Sequence, residues 1–486
     1  MSETAGIAML VAVAVLLIAT GLPAWQVLLG VALAFAAGGM AAGVFALPLL
    51  TAMPSRLLGL LEQDILQALP LYVLMGALLN HLPLAEILFR TGNRALARTG
   101  AGPSLTGLGL GVLLAPMNGA VGASVAMLSR TVQSRLEASG VPLEESAALV
   151  CVASTLGVVI PPSLVLILLG DAMMRAHTEA TILTHESVRI INTQDVFTGA
   201  LVPAAILLAL CALVAWRTNR GAADAAGMSR PTLREWVTAG VTIAFIGSLF
   251  TAVTLGYLYA VEAAAFGAVA LFGFGLATGT LTRLVLSAVL RDTMAVTGAL
   301  FALLLAATMF TLVVRAFGTD RWLASALVQL GMGEMGSLLV VLAIIAACAL
   351  VLDAFEMIFV VIPVAMPPLL TLVHDATWVS VLTLLILQAS FLAPPFGYAV
   401  LMVRNSVRRG LSLKGLSRAL APYLAAQLLV LSLVLAWPAL IWQRNPSTLT
   451  ANDPGQPNAS PVSEDEARRM LERQLPAPPG DSDGKE

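Results

Sequence analysis

Apolar runs of about 20 residues, the length a helix needs to cross a bilayer, recur along the chain between short charged stretches. The pattern predicts two membrane helices near 5–21 and 25–51. A charged segment with Arg56, Glu62 and Asp64 follows, then a further apolar span in ALPLYVLMGALLNH (68–81). Next come Glu86, Arg90, Arg94 and Arg98 at a spacing of four, which lines them along one helical face. That spacing suits a helix lying in the headgroup region and equally a solvated loop helix. From 103 to 176 the chain is apolar but punctured twice, at APMNGAVGAS (115–124) and GVVIPPS (157–163), so neither piece between the breaks needs to be a full crossing. Residues 177–195, with His177, Glu179, His185, Glu186, Arg189 and Asp195, read as an exposed polar loop. Three more spans follow near 196–216, 236–256 and 258–279. A last one near 420–442 ends on Trp437 and Trp442 as interface anchors.

Composition agrees: 58% of the residues are hydrophobic and 11% charged, which excludes an ordinary water-soluble domain and makes the chain an all-α polytopic membrane protein. No basic tract is present to engage nucleic acid. The first segment, GIAMLVAVAVLLIAT, follows Ser2 and Glu3 without a positive n-region, so it reads as a retained helix rather than a cleaved signal peptide. Cys151, Cys211 and Cys348 lie singly in apolar stretches without metal-type spacing and read as core-filling thiols. Arg217, Arg220, Arg230 and Arg234, against Asp224 and Glu235, place their loop in the cytoplasm by the positive-inside bias, and with it the 177–195 loop outside. Arg404, Arg408, Arg409, Lys414 and Arg418 are cytoplasmic on the same ground. Residues 446–486, rich in Pro, Asp, Glu and Ser, read as a disordered tail with at most a short helix in EDEARRMLERQL.

The second half repeats the first. Pro394 and Pro395 in FLAPPFGYAVLMVR (391–404) stand 233 residues after Pro161 and Pro162 (394 − 161). The same offset takes Asp353 back to Ala120, inside the first puncture, and carries LYVLMGALLN to the apolar span near Leu304. A span, an interrupted hairpin and a helix broken at Pro-Pro, once in each half, is the order of a transporter built from inverted repeats. Backbone groups left without partners in hydrocarbon are costly, so such breaks belong where they line a cavity. Proline fixes φ and lacks an N–H, so it opens a helix well and interrupts one badly. After Pro162 the stretch SLVLILLG can start a half-helix in mid-membrane, and FGYAVLMV can do so after Pro395. The positive end of a half-helix suits a carboxylate, and the carbonyls ending the preceding helix suit a cation such as Na⁺. Glycines in NGAVGAS and TLGVV permit the close backbone approach.

Four motifs, MNGAVGASVAML (117–128), ASTLGVVIPPS (153–163), LDAFEMIFVVIPVAMP (352–367) and APPFGYAVLMV (393–403), together resemble the large membrane subunit of tripartite ATP-independent periplasmic (TRAP) transporters, the DctM-like family. The resemblance covers most of residues 1–445. It implies a secondary transporter of the ion-transporter superfamily in the bacterial inner membrane, with two inverted repeats of hairpins and broken helices forming an elevator-type transport domain beside scaffold helices. On that plan 1–66 are N-terminal scaffold helices, 67–195 transport repeat 1, 196–280 central scaffold helices, 281–410 transport repeat 2 and 411–445 the last membrane helix. It implies as partners a small DctQ-like membrane subunit, on a separate chain because no block of four extra helices precedes the first span, and a periplasmic substrate-binding protein. The substrate it implies is an organic carboxylate, nearer to keto, hydroxy or aromatic acids than to sialic acid, with Na⁺ as coupling ion and no other cofactor. Carried over by motif, the substrate and ion site comprises Asn118, Gly119, Gly122, Ser124, Thr155, Gly157, Pro161, Pro162, Ser163, Asp353, Glu356, Pro394, Pro395 and Gly397. Backbone carbonyls near Gly119, Gly157, Asp353 and Ala393 would hold the Na⁺. The chain departs from the family pattern at Asn118, at Gly140-Val141 and at Leu350, Val351 and Leu352, which shifts weight from side chains to carbonyls.

Asp353 and Glu356 share a helical face inside a stretch otherwise free of charge from Ala343 to Pro368. A central carboxylate costs about 2.5–3.5 kcal/mol on insertion scales, so the pair serves a cation-linked or gating role at the second hairpin tip, or marks where that tip reaches water. Glu262, alone in GYLYAVEAAAFGAV, asks for a partner in an adjacent helix or in the small subunit. Two further transport readings stay open: a stand-alone Na⁺/dicarboxylate carrier of the same superfamily, and the permease of an ATP-driven importer. For the latter, EESAALVCVASTLG is faintly similar to a coupling loop but lacks its glycine. No His, Ser or Cys constellation and no GxxxxGK loop supports an enzyme.

Overall fold

The computed structural model describes residues 5–44, 54–55, 58–59, 64–118, 121–161, 163–184, 189–221, 231–329, 331–406 and 410–441. Among them are helices and connecting turns and no strand. Gly119, Pro162, His185, Glu186, Asp224, Arg230, Arg408, Arg409, Trp442 and the tail lie outside the described residues.

Two helices, α1 (Ala5–Thr20) and α2 (Ala24–Ala41), precede the first repeat, which opens with α3 (Asp64–His81) and, after a 64° bend, α4 (Leu84–Ala95). A hairpin follows, made of α5 (Gly102–Leu114), a turn at Pro116–Asn118 and a returning limb, α6, over 121–138 with a π-turn at Ser129–Gln133. Then α7 (Leu143–Val159) breaks at Ile160–Ser163 and resumes as α8 (Leu164–Thr184), bent by 41°. Spans α9 (Thr193–Thr218), α10 (Leu233–Thr254) and α11 (Ala260–Ala277) lead to the second repeat. There α12 (Arg283–Ala316) and α13 (Thr319–Gln329) precede a hairpin of α14 (Gly333–Cys348) and α15 (Ala354–Leu370), again with a π-turn, at Met357–Val361. The broken helix is α16 (Ala376–Leu392) and α17 (Tyr398–Ser406), and α18 (Leu413–Ala436) closes the order. The duplication is exact in register where it matters most: α7 and α16 are both 17 residues long, offset by 233 at each end (376 − 143 and 392 − 159).

Charge fixes the direction of each element. Arg217 and Arg220 end α9, Arg283 and Arg291 open α12, and Arg90, Arg94, Arg98, Arg130 and Arg135 cluster on α4 and the base of the first hairpin. Two contacts join neighbouring parts of this set: Arg90 bonds Glu235 at the start of α10 (2.6 Å), and Trp216 Nε1 donates to Thr99 O (3.1 Å). One cytoplasmic face therefore holds them all. Counting crossings from there, the first hairpin enters from the cytoplasmic side and the second from outside, which is the inversion expected of the repeats. Exposed Tyr257 and Tyr259 cap the outer turn between α10 and α11, and Trp437 the outer end of α18, as interface aromatics.

Helix α4 packs by its apolar face. Its Leu84, Ala85, Leu88 and Phe89 are buried, and Arg135 from the hairpin both bonds Glu86 (2.5 Å) and lies over the Phe89 ring (5.7 Å), so α4 clasps the hairpin base. One expectation is corrected. Residues 177–184 are the end of α8 rather than loop: no proline stands between Ser163 and Thr184, and His177 is buried, its Nδ1 accepting from Ile191 N (3.3 Å). Glu262 accepts from Tyr259 N (2.9 Å) and caps its own helix, α11. Cys151 and Cys211 are buried and Cys348 half-buried against the core.

Four helices pack together: α2 on α12, α3 on α12 and α3 on α11. At 34 residues α12 extends about 51 Å, well beyond the ~30 Å hydrocarbon core. On the other flank α18 ties down α16, with Gln427 Nε2 donating to Leu385 O (3.1 Å) and Trp378 Nε1 to Val434 O (3.0 Å). The topology is checked by membrane-impermeant maleimide labelling of single cysteines: Arg98→Cys and Thr218→Cys should react only from the cytoplasmic face and Arg189→Cys only from outside. Labelling of all three from one face would remove the inversion.

Candidate substrate and ion site

The two repeats interlock. Each hairpin's entering limb packs on the pre-break helix of its own repeat, α5 on α7 and α14 on α16. Each returning limb packs on the post-break half-helix of the other repeat, α6 on α17 and α15 on α8. The exchange joins the two repeats, and α7 also packs on α16 and α17.

At the first break, Gly157 is needed for contact. A Cβ there would fall 2.6 Å from the Ala115 carbonyl carbon and 2.8 Å from Pro116 N, so α7 presses backbone to backbone on the turn of the hairpin. The residue 233 positions on is Ser390, and it meets the equivalent part of the second hairpin by donating Oγ–H to Ala346 O (3.3 Å). Beside Gly157 lies a small cavity of about 10 Å³, room for one water-sized sphere, lined by Ala115, Ser124, Ser154, Gly157 and Ser163 among others. All three serine hydroxyls are buried, and each gives its proton to a backbone carbonyl: Ser124 to Ala115 O (3.4 Å), Ser154 to Cys151 O (2.9 Å) and Ser163 to Val158 O (3.0 Å). Hydroxyl and carbonyl oxygens bordering a space of that size are the donor type that a hard cation takes.

Ser163 also accepts from Leu166 N (3.0 Å) and is the N-cap of α8. One of the N–H groups that the sequence leaves free for an anion is therefore already taken. Thr155 spends its hydroxyl on Val152 O (3.0 Å) within α7, and Pro161 is buried at the break itself. Asn118 ends the Pro116–Asn118 turn, on which α3 packs. Gly122 on α6 faces the opposite repeat, where a Cβ would stand 3.2 Å from Tyr398 Oη. Cys151 Sγ–H points to Ala399 O (3.7 Å), so the first turn of α17 is held against both α6 and α7.

The second break is a tight loop. Gly397 N donates to Ala393 O (2.8 Å), and a Cβ on Gly397 would collide with Phe391 O at 2.5 Å. Pro394 is half-buried, Pro395 and Phe396 are exposed, and Tyr398 meets Phe391 edge-on at 6.3 Å. At the second hairpin tip, Asp353 and Glu356 form a reciprocal cap. Asp353 Oδ1 accepts from Phe355 N (2.8 Å) and Glu356 N (3.3 Å), while Glu356 Oε2 accepts from Asp353 N (3.1 Å). The pair thereby terminates the break with protein donors, a role that the spacing of three did not by itself reveal. Sequence reasoning also missed Arg315 at the outer end of α12, which bonds Glu179 (2.8 Å). A lone basic residue closing an apolar span on the outer side, against the positive-inside bias, was the available signal.

The family model for the tripartite ATP-independent periplasmic transporter, DctM component, matches residues 10–440, nearly the whole of the described chain. The chain belongs to the DctM family of TRAP large permeases. Similar proteins include the C4-dicarboxylate TRAP transporter large permease protein DctM of Pseudomonas aeruginosa, 26% identical over 387 residues, covering 78% of this chain and 86% of that relative. The protein of the same name from Rhodobacter capsulatus is 22% identical over 389 residues, with the same shares of 78% and 86%. The sialic acid TRAP transporter permease protein SiaT of Haemophilus influenzae is 22% identical over 401 residues, covering 80% of this chain and 61% of SiaT. Among solved structures, the Alcanivorax borkumensis YdaH transporter shares the fold with a TM-score of 0.59 at 18% identity, over 81% of this chain and 89% of that one. As a TRAP large permease the chain is a multi-pass protein of the bacterial inner membrane, and the family implies a small membrane subunit and a periplasmic binding protein as partners.

The tips can be tested by thermal unfolding in detergent. Gly157→Ala should cost about 1–3 kcal/mol by overpacking. Asp353→Ala should cost about 1 kcal/mol through loss of the cap, whereas Asp353→Asn, still a capping side chain, should unfold near the wild type. Equal stability of the Ala and Asn variants would remove the capping role.

Proposed function

We propose that this TRAP large permease imports an organic carboxylate together with Na⁺, the two interlocked hairpin repeats moving as one body against the scaffold helices in an elevator stroke. The observation that carries the reading is the reciprocal exchange of returning limbs, which makes a single unit of α5–α8 and α14–α17 around two mid-membrane breaks. A unit knit in that way moves whole more readily than it opens, because shifting either half-helix alone would strip the opposite limb of its packing. Each repeat then contributes one long helix, α3 or α12, to the static side, and the arm helices α4 and α13 link the two. The substrate class rests on chemistry and on relatives: half-helix N-termini favour a carboxylate, and the similar proteins are named for C4-dicarboxylates and sialic acid, all organic acids. Sodium coupling rests on the hydroxyl and carbonyl oxygens around Gly157, with a second site near Asp353 by the repeat symmetry. Asn118, Gly122, Thr155, Pro161, Pro394, Pro395 and Gly397 shape the chamber by backbone, and Ser124 and Ser163 supply oxygens to it.

Reconstitution in proteoliposomes with the small subunit and the cognate binding protein is the test. Uptake should require an inward Na⁺ gradient and every component. Asp353→Asn should abolish uptake while leaving insertion intact. Undiminished uptake with Na⁺ wholly replaced by K⁺ would reject the coupling, and uptake without the binding protein would favour a stand-alone carrier.

A further inference from the structure

The outer half of the protein holds a charged feature that neither break accounts for. Running outward, α12 ends on Arg315, whose guanidinium donates to Glu179 Oε2 on α8 (2.8 Å) and to Pro363 O on α15 (3.0 Å). Two turns below Glu179 on α8, Asp171 accepts from Arg175 (2.8 Å). Both ion pairs border one cavity of about 230 Å³, with α12 on one side and α8 and α15 on the other. Its wall follows α12 from Leu304 to Arg315, about 16 Å at the helical rise, and descends to Ile358, two residues past Glu356 at the hairpin tip. Below the charged mouth the lining is apolar, with Leu168, Leu304, Ile358 and Phe359. A polar mouth above an apolar neck leads toward the level of the breaks.

The occupant of the mouth is informative. Glu179 is a carboxylate supplied by the protein to a guanidinium that spans scaffold and hairpin body, and side-chain exposures of 36% for Arg315 and 29% for Glu179 leave the pair open to water. Ion pairs this accessible are weak, and a guanidinium receives any planar carboxylate in the same geometry. The geometry points to this cavity as an outer receiving site for an organic carboxylate, in which the incoming anion replaces Glu179 on Arg315. The inference rests on the reading of the chain as an organic-acid importer. It adds a consequence: the exchange releases α8 from α12, so arrival of substrate loosens the body from the scaffold on the side where the binding protein delivers it.

The test uses phenylglyoxal, an arginine-selective dicarbonyl, on the full chain in nanodiscs, with the Arg315 peptide followed by mass spectrometry. Succinate is the carboxylate probe and succinamide its uncharged control, at matched ionic strength. Succinate, and not succinamide, should slow modification of Arg315 several-fold. In Glu179→Gln the unprotected rate should rise and protection should set in at lower succinate concentration, because the internal competitor is gone. Equal rates with succinate and succinamide, in the wild type and in Glu179→Gln alike, would overturn the receiving site. Asp353→Asn separates this site from the transport reading: it should lose uptake yet keep protection at Arg315, and loss of protection there would refute an independent outer site.

Discussion

A backbone that breaks inside hydrocarbon must find partners for its polar groups, and the two repeats meet that requirement locally and differently. At the first break Ser163 serves twice, donating to Val158 O behind it and accepting from Leu166 N ahead. At the second, Gly397 N closes on Ala393 O within a loop only glycine fits. The second hairpin tip is sealed by Asp353 and Glu356 exchanging hydrogen bonds with each other's backbone N–H groups. Satisfied in these ways, the breaks persist at membrane depth without lipid having to solvate them. What they leave over is acceptor oxygen, the currency of cation binding.

The reciprocal packing turns two local breaks into one device. Because α6 rests on α17 and α15 on α8, the half-helix of each repeat is packed by the other repeat. The symmetry is not perfect: Gly157 gives the first break a backbone contact and a small cavity bordered by serines, while Ser390 gives the second a hydrogen bond, with Pro395 and Phe396 exposed. Under the proposed function, that difference suits a chamber that seats an ion on one side and admits a larger solute beside it.

Much of this was legible in the sequence because proline acts locally. The doublets at 161–162 and 394–395 announce their breaks wherever the chain folds, and the offset of 233 between them holds to the residue in α7 and α16. The spans were legible from apolar length. What remained hidden depended on partners far away in the chain. His177 looked like loop because its burial comes from Ile191 N folding back over α8. Arg315 drew no notice because its partners lie 136 and 48 positions away, and only packing brings α8, α12 and α15 together.

The central claim is that both breaks face one ion-linked chamber. Hydrogen–deuterium exchange of the chain in nanodiscs, with and without Na⁺ at constant ionic strength, addresses it most directly. The account predicts that amides of 157–166 and of 390–399 exchange faster than the flanking turns of α7 and α16, and that Na⁺ slows both segments together. Exchange at both segments as slow as in the flanking helices, or a Na⁺ response confined to one of them, would contradict it.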